Sequence, residues 1–248
     1  MKKNIFSTIT TPPSLPVITS FVNEIRAMVF PGLFERKNLD IKLILKQQIT
    51  AAYECIGEEP AVDIKDITTK FKNFIPELRE MMEKDVVATF EGDPAAHNYY
   101  EVICCYPAIK AIINYRMAHK LHQLGIPLLP RMITELAHSE TGIDIHPGAE
   151  IGSFFTIDHG TGVVIGETCI VGEHVKLYQG VTLGAKSFPL DENGNPIKGI
   201  LRHPIIGNNV IIYSNATILG RVHIGDNAVI GANVWLTHDV KEGELISR

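Results

Sequence analysis

The chain of 248 residues is long enough for one or two domains with a sizeable core. Its hydrophobic fraction of 45% and charged fraction of 21% are ordinary for a globular protein. A formal charge of -5 without any basic run argues against a general nucleic-acid binder or an anionic surface as partner, so an anionic ligand needs a local basic cluster.

The opening Met1-Lys2-Lys3 is basic, but no apolar run of the signal-peptide kind follows, and Pro12, Pro13 and Pro16 interrupt the region. No segment has the roughly 18 continuous apolar residues of a membrane span, and the expected location is the cytoplasm. Cys55, Cys104, Cys105 and Cys169 lack C-x-x-C zinc spacing and read as buried thiols in a reducing compartment. Residues 1–140 read as a helical domain. Val17, Phe21, Ile25 and Met28 are three and four apart, as are Ile41, Leu45 and Ile49. These patterns predict helices over 17–30 and 39–56. Asp63 or Asp66 opens another, and Leu78, Met81 and Met82 continue the pattern over 75–90. Further helices are expected over 99–124 and 128–137. Pro76, Pro94, Pro107 and Pro127 mark breaks or first-turn positions. Most of this half needs no role beyond burying apolar faces.

The period changes near Asp144. Ile145, Ile151 and Ile157 are six apart, as are Ile165, Val171, Leu177 and Leu183, and again Ile206, Ile212, Ile218, Ile224, Ile230 and Leu236. In the last run a small or aliphatic residue follows four places later, at Val210, Ala216, Val222, Ala228, Val234 and Val240. A period of six is neither helical nor simple alternation. Three such units build one triangular coil of a parallel β-helix, with the aliphatic residues pointing inward. The predicted fold is therefore α+β, a helical domain followed by a β-helix over 141–248. The register breaks twice, at Asp158-His159-Gly160-Thr161-Gly162 and over 185–201, where Pro189, Asp191-Glu192-Asn193-Gly194-Asn195-Pro196 and Gly199 predict a loop excursion from a corner.

Chemically capable residues gather at these breaks. Asp144 and His159 are fifteen residues apart, somewhat under one coil, which allows approach in adjacent turns. A carboxylate beside a histidine fixes its tautomer and stabilises the imidazolium, and such a histidine takes a proton from a hydroxyl near neutral pH. Arg202, where the excursion rejoins the coil, suits a substrate carboxylate through paired hydrogen bonds. His119 and His122 read as surface or packing residues, and His174, His223 and His238 as outward coil positions. His97, His138 and His146 are left open.

The stretches Asp144-Ile-His-Pro-Gly-Ala-Glu-Ile-Gly, Ile157-Asp-His-Gly-Thr-Gly-Val-Val-Ile-Gly-Glu167, Gln179-Gly-Val-Thr-Leu-Gly184 and Arg202-His-Pro204 closely resemble serine O-acetyltransferase, a family of hexapeptide-repeat acyltransferases. Gly92-Asp93-Pro94-Ala95, read at the head of a helix, resembles the helical domain's contribution to that family's serine pocket. The resemblance implies a left-handed β-helix. It also implies acetyl transfer from acetyl-CoA, a co-substrate rather than a resident cofactor, to the L-serine hydroxyl, giving O-acetylserine on the route to cysteine. It makes His159 the general base and Asp144 its orienting partner. Asp93 and Asp158 would bind the amino group, and Arg202 and His203 the carboxylate. Alignment with the family puts Gly184, Ser214 and Ala232 on the donor groove. Lys186, Lys198 and Arg221 are either phosphate contacts or solvated charges. Neither the resemblance nor the histidine spacing implies a metal. A homotrimer or dimer of trimers, with sites between neighbours, and feedback inhibition by L-cysteine are further implications.

Two features depart from the family. The 185–201 excursion is longer than the glycine-rich loop of many relatives, and either covers the donor groove or reaches a neighbouring subunit. Many relatives also end in an isoleucine tail that docks O-acetylserine sulfhydrylase, whereas this sequence stops at Ile246-Ser247-Arg248. Either the chain is shortened or that docking mode is absent. Three other readings compete: an acyltransferase for a sugar or another small hydroxyl compound, a zinc enzyme like the γ-type carbonic anhydrases, and a non-catalytic scaffold.

Overall fold

The structure is a computed structural model describing residues 11–247, so the Met1-Lys2-Lys3 opening and Arg248 lie outside the described residues. Six helices come first. α1 (Leu15–Val29) and α2 (Ile41–Ile56) are followed by α3 (Ile64–Gly92), α4 (Tyr99–Cys105), α5 (Pro107–Gln123) and α6 (Leu129–Thr141). Asp40 caps α2 by accepting from the N–H groups of Lys42 and Leu43, and Asp63 caps α3 by accepting from Lys65. The break expected at Pro76 does not occur, for α3 runs through it over 29 residues. A mid-helix proline costs about 3 kcal/mol. Buried Phe71, Phe74, Ile75, Leu78 and Met82 hold the helix against the core on both sides of it. Pro107 does divide its stretch, ending α4 and opening α5. The expectation of four buried thiols also needs correction. Cys169 is buried, Cys55 is half-buried, and Cys104 and Cys105 are exposed because they close the short α4 on its outer side.

After α6 come five coils. The first holds β1 (Asp144–Ile145), β2 (Glu150–Ile151) and β3 (Thr156–Asp158). The second holds β4 (Val164–Ile165), β5 (Ile170–Val171) and β6 (Lys176–Tyr178). The third holds β7 (Thr182–Gly184), β8 (Ile205–Ile206) and β9 (Ile211–Ile212). The fourth holds β10 (Thr217–Leu219), β11 (His223–Ile224) and β12 (Val229–Ile230), and the last β13 (Trp235–Leu236) and β14 (Leu245–Ile246). All the strand pairs are parallel and stack into three faces: β1-β4-β7-β10-β13, β2-β5-β8-β11 and β3-β6-β9-β12-β14. The aliphatic hexad residues fill the prism, from Ile145 to Leu236. Corner backbones turn through the left-handed region at Asn209, Asn215, Asn227 and Asn233, a conformation that asparagine tolerates better than most residues.

Register on the first face measures both breaks. Val164 pairs with Thr182, and Thr217 with Trp235, each 18 residues apart. Asp144 and Val164 are 20 apart, and Thr182 and Thr217 are 35 apart, so one coil carries two extra residues and another seventeen. The seventeen form a hairpin arm. Leu190 bridges Pro196, the Ile197 N–H donates to the Pro189 carbonyl at 2.9 Å, and Asp191 Oδ1 accepts from the N–H groups of Asn193 and Asn195. Phe188, Leu190, Ile197 and Leu201 stand exposed on it.

A buried ion pair fastens the helices to the first coil. Arg116 donates to both carboxylate oxygens of Asp85, at 2.7 and 2.9 Å, and to the Gly152 carbonyl at 2.9 Å. Asp85 also accepts from the Phe155 N–H at 3.0 Å. Tyr115 donates its hydroxyl to the Ala149 carbonyl at 2.6 Å. These bonds set the end of α3 beside β3.

Candidate active site

The corner joining the third face to the first carries His159. Its backbone is left-handed at φ 57°, and its side chain is 72% exposed. Nε2 lies 3.6 Å from the Asp158 carboxylate, the last residue of β3. Asp93 comes from the helical domain. It caps the end of α3, so the expected position at the head of a helix is corrected to the tail of one. There its carboxylate accepts the Tyr106 hydroxyl at 2.5 Å and the Ala95 N–H at 2.8 Å. The Tyr106 bond, then the Ala95 bond, hold the Asp93 carboxyl below its ordinary range, with Lys176 and His159 adding charge attraction. Tyr106 is pushed up to about 12 by the same bond. Asp93, Asp158, Tyr106, Thr156 and Lys176 line one small cavity.

The corner joining the first face to the second carries Arg202 and His203. Arg202 donates to Glu167 at 2.6 Å and to the Ile200 carbonyl at 3.2 Å. Burial pushes the Glu167 carboxyl up, but the Arg202 hydrogen bond and neighbouring charges outweigh it and hold the group below its ordinary range. The Thr168 hydroxyl accepts from the N–H groups of Arg202 and His203, at 3.0 and 3.2 Å. His203 Nδ1 in turn accepts the Thr168 N–H at 3.1 Å, leaving Nε2 to carry the proton of a neutral ring. Burial, then the Arg202 charge, lowers the His203 pKa to about 4. Gly166 is required here, since a Cβ on it would stand 2.1 Å from the His203 ring. Arg221 donates to the carbonyls of Thr168 and His203, so it braces this corner. His146 sits at the same corner, its Nδ1 accepting the Gly148 N–H at 3.0 Å.

Asp144 is an outward residue of β1. Within this chain its ion pair is with Arg131 at 3.4 Å, while that of His159 is with Asp158. Glu135, His138 and Asp144 put possible ligand atoms within 4.8 Å of one another, but Arg131 pairs with Glu135 and Asp144 and brings positive charge to the group.

The remaining predicted residues divide between the same two corners. Ser214 and Ala232 lie between the third and first faces, on coils above His159. Gly184 ends β7 and Lys186 begins the arm, both at the corner of Arg202. Adjacent corners are separated by one strand face, about 20 Å for six extended residues. Within one chain the two clusters therefore stand a face apart. Of the histidines read as bland, His174 stacks on Phe154 at 4.3 Å, His119 meets the Pro147 carbonyl at 2.8 Å, and His122, His223 and His238 are exposed.

Sequence reasoning missed Tyr106, Lys176 and Thr168 as parts of these clusters. Lys176 and Thr168 occupy ordinary outward and corner positions of a coil, with no break in period to mark them. Tyr106 carried only its place before Pro107. Gln179, one step beyond β6, has a buried side-chain oxygen without a hydrogen-bond partner.

Residues 203–238 match the family described as bacterial transferase hexapeptide (six repeats). A plasmid serine acetyltransferase of Synechococcus elongatus is 56% identical over 183 residues, covering 74% of this chain and 57% of that protein. The match thus spans a little over half the length of that relative. The solved serine acetyltransferase 1 of Entamoeba histolytica, in complex with L-cysteine, superimposes with a TM-score of 0.81 at 35% identity, over 92% of this chain and 86% of that one. A serine acetyltransferase solved in complex with CoA superimposes with a TM-score of 0.65 at 26% identity, over 93% of this chain and 95% of that one.

Proposed function

Because the chain belongs to the serine acetyltransferase family, we propose that it transfers the acetyl group of acetyl-CoA to the hydroxyl of L-serine. The observation that carries this reading is the division of charge between the two corners. One offers the carboxylates of Asp93 and Asp158 beside His159, and the other offers Arg202 and the His203 ring N–H. Together they fit the ammonium and carboxylate of an amino acid on opposite sides of a reacting hydroxyl. The donor candidates Ser214 and Ala232 on one side and Gly184 on the other divide the same way.

The proposed reaction needs no covalent enzyme intermediate, since a thioester is already activated. His159 Nε2 removes the serine hydroxyl proton as the oxygen attacks the thioester carbonyl. The tetrahedral intermediate collapses, the carbon–sulfur bond breaks, and the imidazolium returns the proton to the CoA sulfur. O-acetylserine and CoA leave. Asp158 lies near enough to stabilise the imidazolium. Asp144 is proposed to keep the orienting role suggested by its spacing, with Arg131 held at one of its carboxylate oxygens. The unpartnered Gln179 oxygen, at the His159 corner, suits an amide N–H of the pantetheine arm, since an unmet buried acceptor costs about 1–3 kcal/mol.

Half-sites a face apart call for a second copy. We propose a homotrimer around a threefold axis, in which the Arg202 corner of one chain abuts the His159 corner of the next. Two such trimers joined through the helical domains remain compatible with this contact. L-cysteine shares serine's ammonium and carboxylate and is proposed to compete for the pocket, in keeping with the cysteine complex of the Entamoeba relative. Among the described residues no helix is long and apolar enough to cross a membrane. The free cysteines accord with the proposed cytoplasmic location.

A thiol-release assay with acetyl-CoA and a panel of hydroxyl acceptors tests the reading. L-serine is expected to give the highest kcat/KM. Preference for a sugar, or for an acceptor lacking either charge, would contradict it.

A further inference from the structure

The cavity lined by Asp93 and Asp158 is also lined by an ammonium, that of Lys176. Lys176 is an outward residue of β6, standing between Thr156 and Ile211 of the adjacent coils on the third face. A lysine at such a position ordinarily extends into solvent. Here the side chain is only 19% exposed and bends toward the end of α3. Nζ donates to the Gly92 carbonyl at 2.8 Å and lies 3.6 Å from Asp158 Oδ2. Gly92 immediately precedes Asp93. The lysine thus stands at the junction of the two carboxylates assigned to the substrate's amino group.

Little room is left beside it. The cavity lined by Thr89, Gly92, Asp93, Tyr106, Asp158 and Lys176 has an open volume of about 10 Å³. One water needs about 10–15 Å³, and an ammonium on a Cα needs more. From this same position Nζ also lies 4.8 Å from the Tyr178 ring centroid on its own strand. Tyr178 is itself held flat against Tyr213, with centroids 5.0 Å apart and planes 15° apart. Cation–π contact at that distance is favourable.

We propose that Lys176 is an internal competitor for the acceptor's ammonium, holding Asp158 and the backbone beside Asp93 in the free enzyme and giving way when an amino acid binds. The inference rests on the reading that Asp93 and Asp158 bind the amino group. Its consequence is a conformational tax on acceptor affinity that the acetyl-CoA site does not share, because only the fraction of molecules with the lysine withdrawn can bind serine.

The test compares wild type with Lys176→Met and Lys176→Thr, measuring KM for L-serine and acetyl-CoA, serine binding by calorimetry without donor, and melting temperature. Both variants are expected to bind serine about tenfold more tightly, with the acetyl-CoA KM unchanged. A serine affinity unchanged or weakened in variants that melt like wild type would overturn the inference and make Lys176 a support for the carboxylates. Asp93→Asn and Asp158→Asn run alongside. If they weaken serine binding while the lysine variants fail to tighten it, the competitor idea alone falls. If they leave serine binding unchanged, the assignment of the ammonium pocket falls with it.

Discussion

Removing Asp85 should damage both stability and the acceptor site, although the residue touches neither proposed substrate. Asp85 and Arg116 are 0% and 1% exposed, and the carboxylate satisfies three donors: Arg116 Nε, Arg116 Nη2 and the Phe155 N–H. Asp85→Ala leaves a guanidinium buried with only backbone carbonyls at Gly152 and Ile151, and strands the Phe155 N–H. Breaking a buried pair by removing one partner costs about 3–5 kcal/mol. For a chain of this size each kcal/mol lowers Tm by about 2–4 °C, which gives a loss of about 6–20 °C. Asp85 also lies eight residues, about 12 Å of helix, before Asp93. Loosening this joint should raise the serine KM more than the acetyl-CoA KM. Thermal melts followed by fluorescence, with steady-state kinetics below the melt, read both effects. The paired Asp85→Leu/Arg116→Met variant should recover most of the lost stability, because no charge is left buried. An Asp85→Ala protein that melts within about 2 °C of wild type would refute the reasoning, since even 1 kcal/mol predicts a larger shift.

Other expectations concern the opposite corner. Arg202→Ala should raise the KM for L-serine with a smaller effect on acetyl-CoA, and serine amide should lose its disadvantage in that variant; equal effects on both substrates would point to assembly instead. Gly166→Ala should disrupt the His203 ring, whose Cδ2 would lie 2.1 Å from the new methyl, and lower Tm and serine affinity together; a native-like variant would show that the ring packing is unimportant. The depressed pKa of His203 has a definite sign. The unfolded histidine protonates near 6.5 and the folded one only at about 4, so its contribution to stability is present above 6.5 and is lost as pH falls from there to about 4. Tm measured across that range in wild type and His203→Gln should show a shallower acid decline in the variant. Parallel declines would contradict the assignment.

Much of the fold could be read from the sequence because a hexad is a repeated physical constraint. Every sixth side chain enters the same narrow prism, so Ile206 through Leu236 announce it six times over. Both register breaks could be read as departures from that count. Pro76 misled because its local cost is visible in sequence while the compensating burial of Phe71, Phe74 and Leu78 depends on the assembled core. At the site, His159, Asp158 and Arg202 stood out as polar residues at broken register. Tyr106 and Lys176 did not, because their meaning comes from α3 and α5 packing against β3, a contact between segments far apart in the chain. The pairing of Asp144 with Arg131 was equally hidden, since it joins α6 to β1 through side chains with no common period.

One acetyl-transfer site is proposed to be built from the His159 corner of one chain and the Arg202 corner of another. His159→Ala alone should lose activity by about 10²–10⁴, the usual cost of a general base. Arg202→Ala, assayed with serine far below its KM, should also be nearly inactive. The decisive measurement is thiol release from acetyl-CoA and L-serine after the two variants are unfolded together and reassembled. In a heterologous ring every mixed trimer regains one intact site, so random reassembly should restore about a quarter of wild-type activity. If the mixture stays as inactive as its parents while forming correct trimers, both half-sites belong to the same chain and the composite site is wrong.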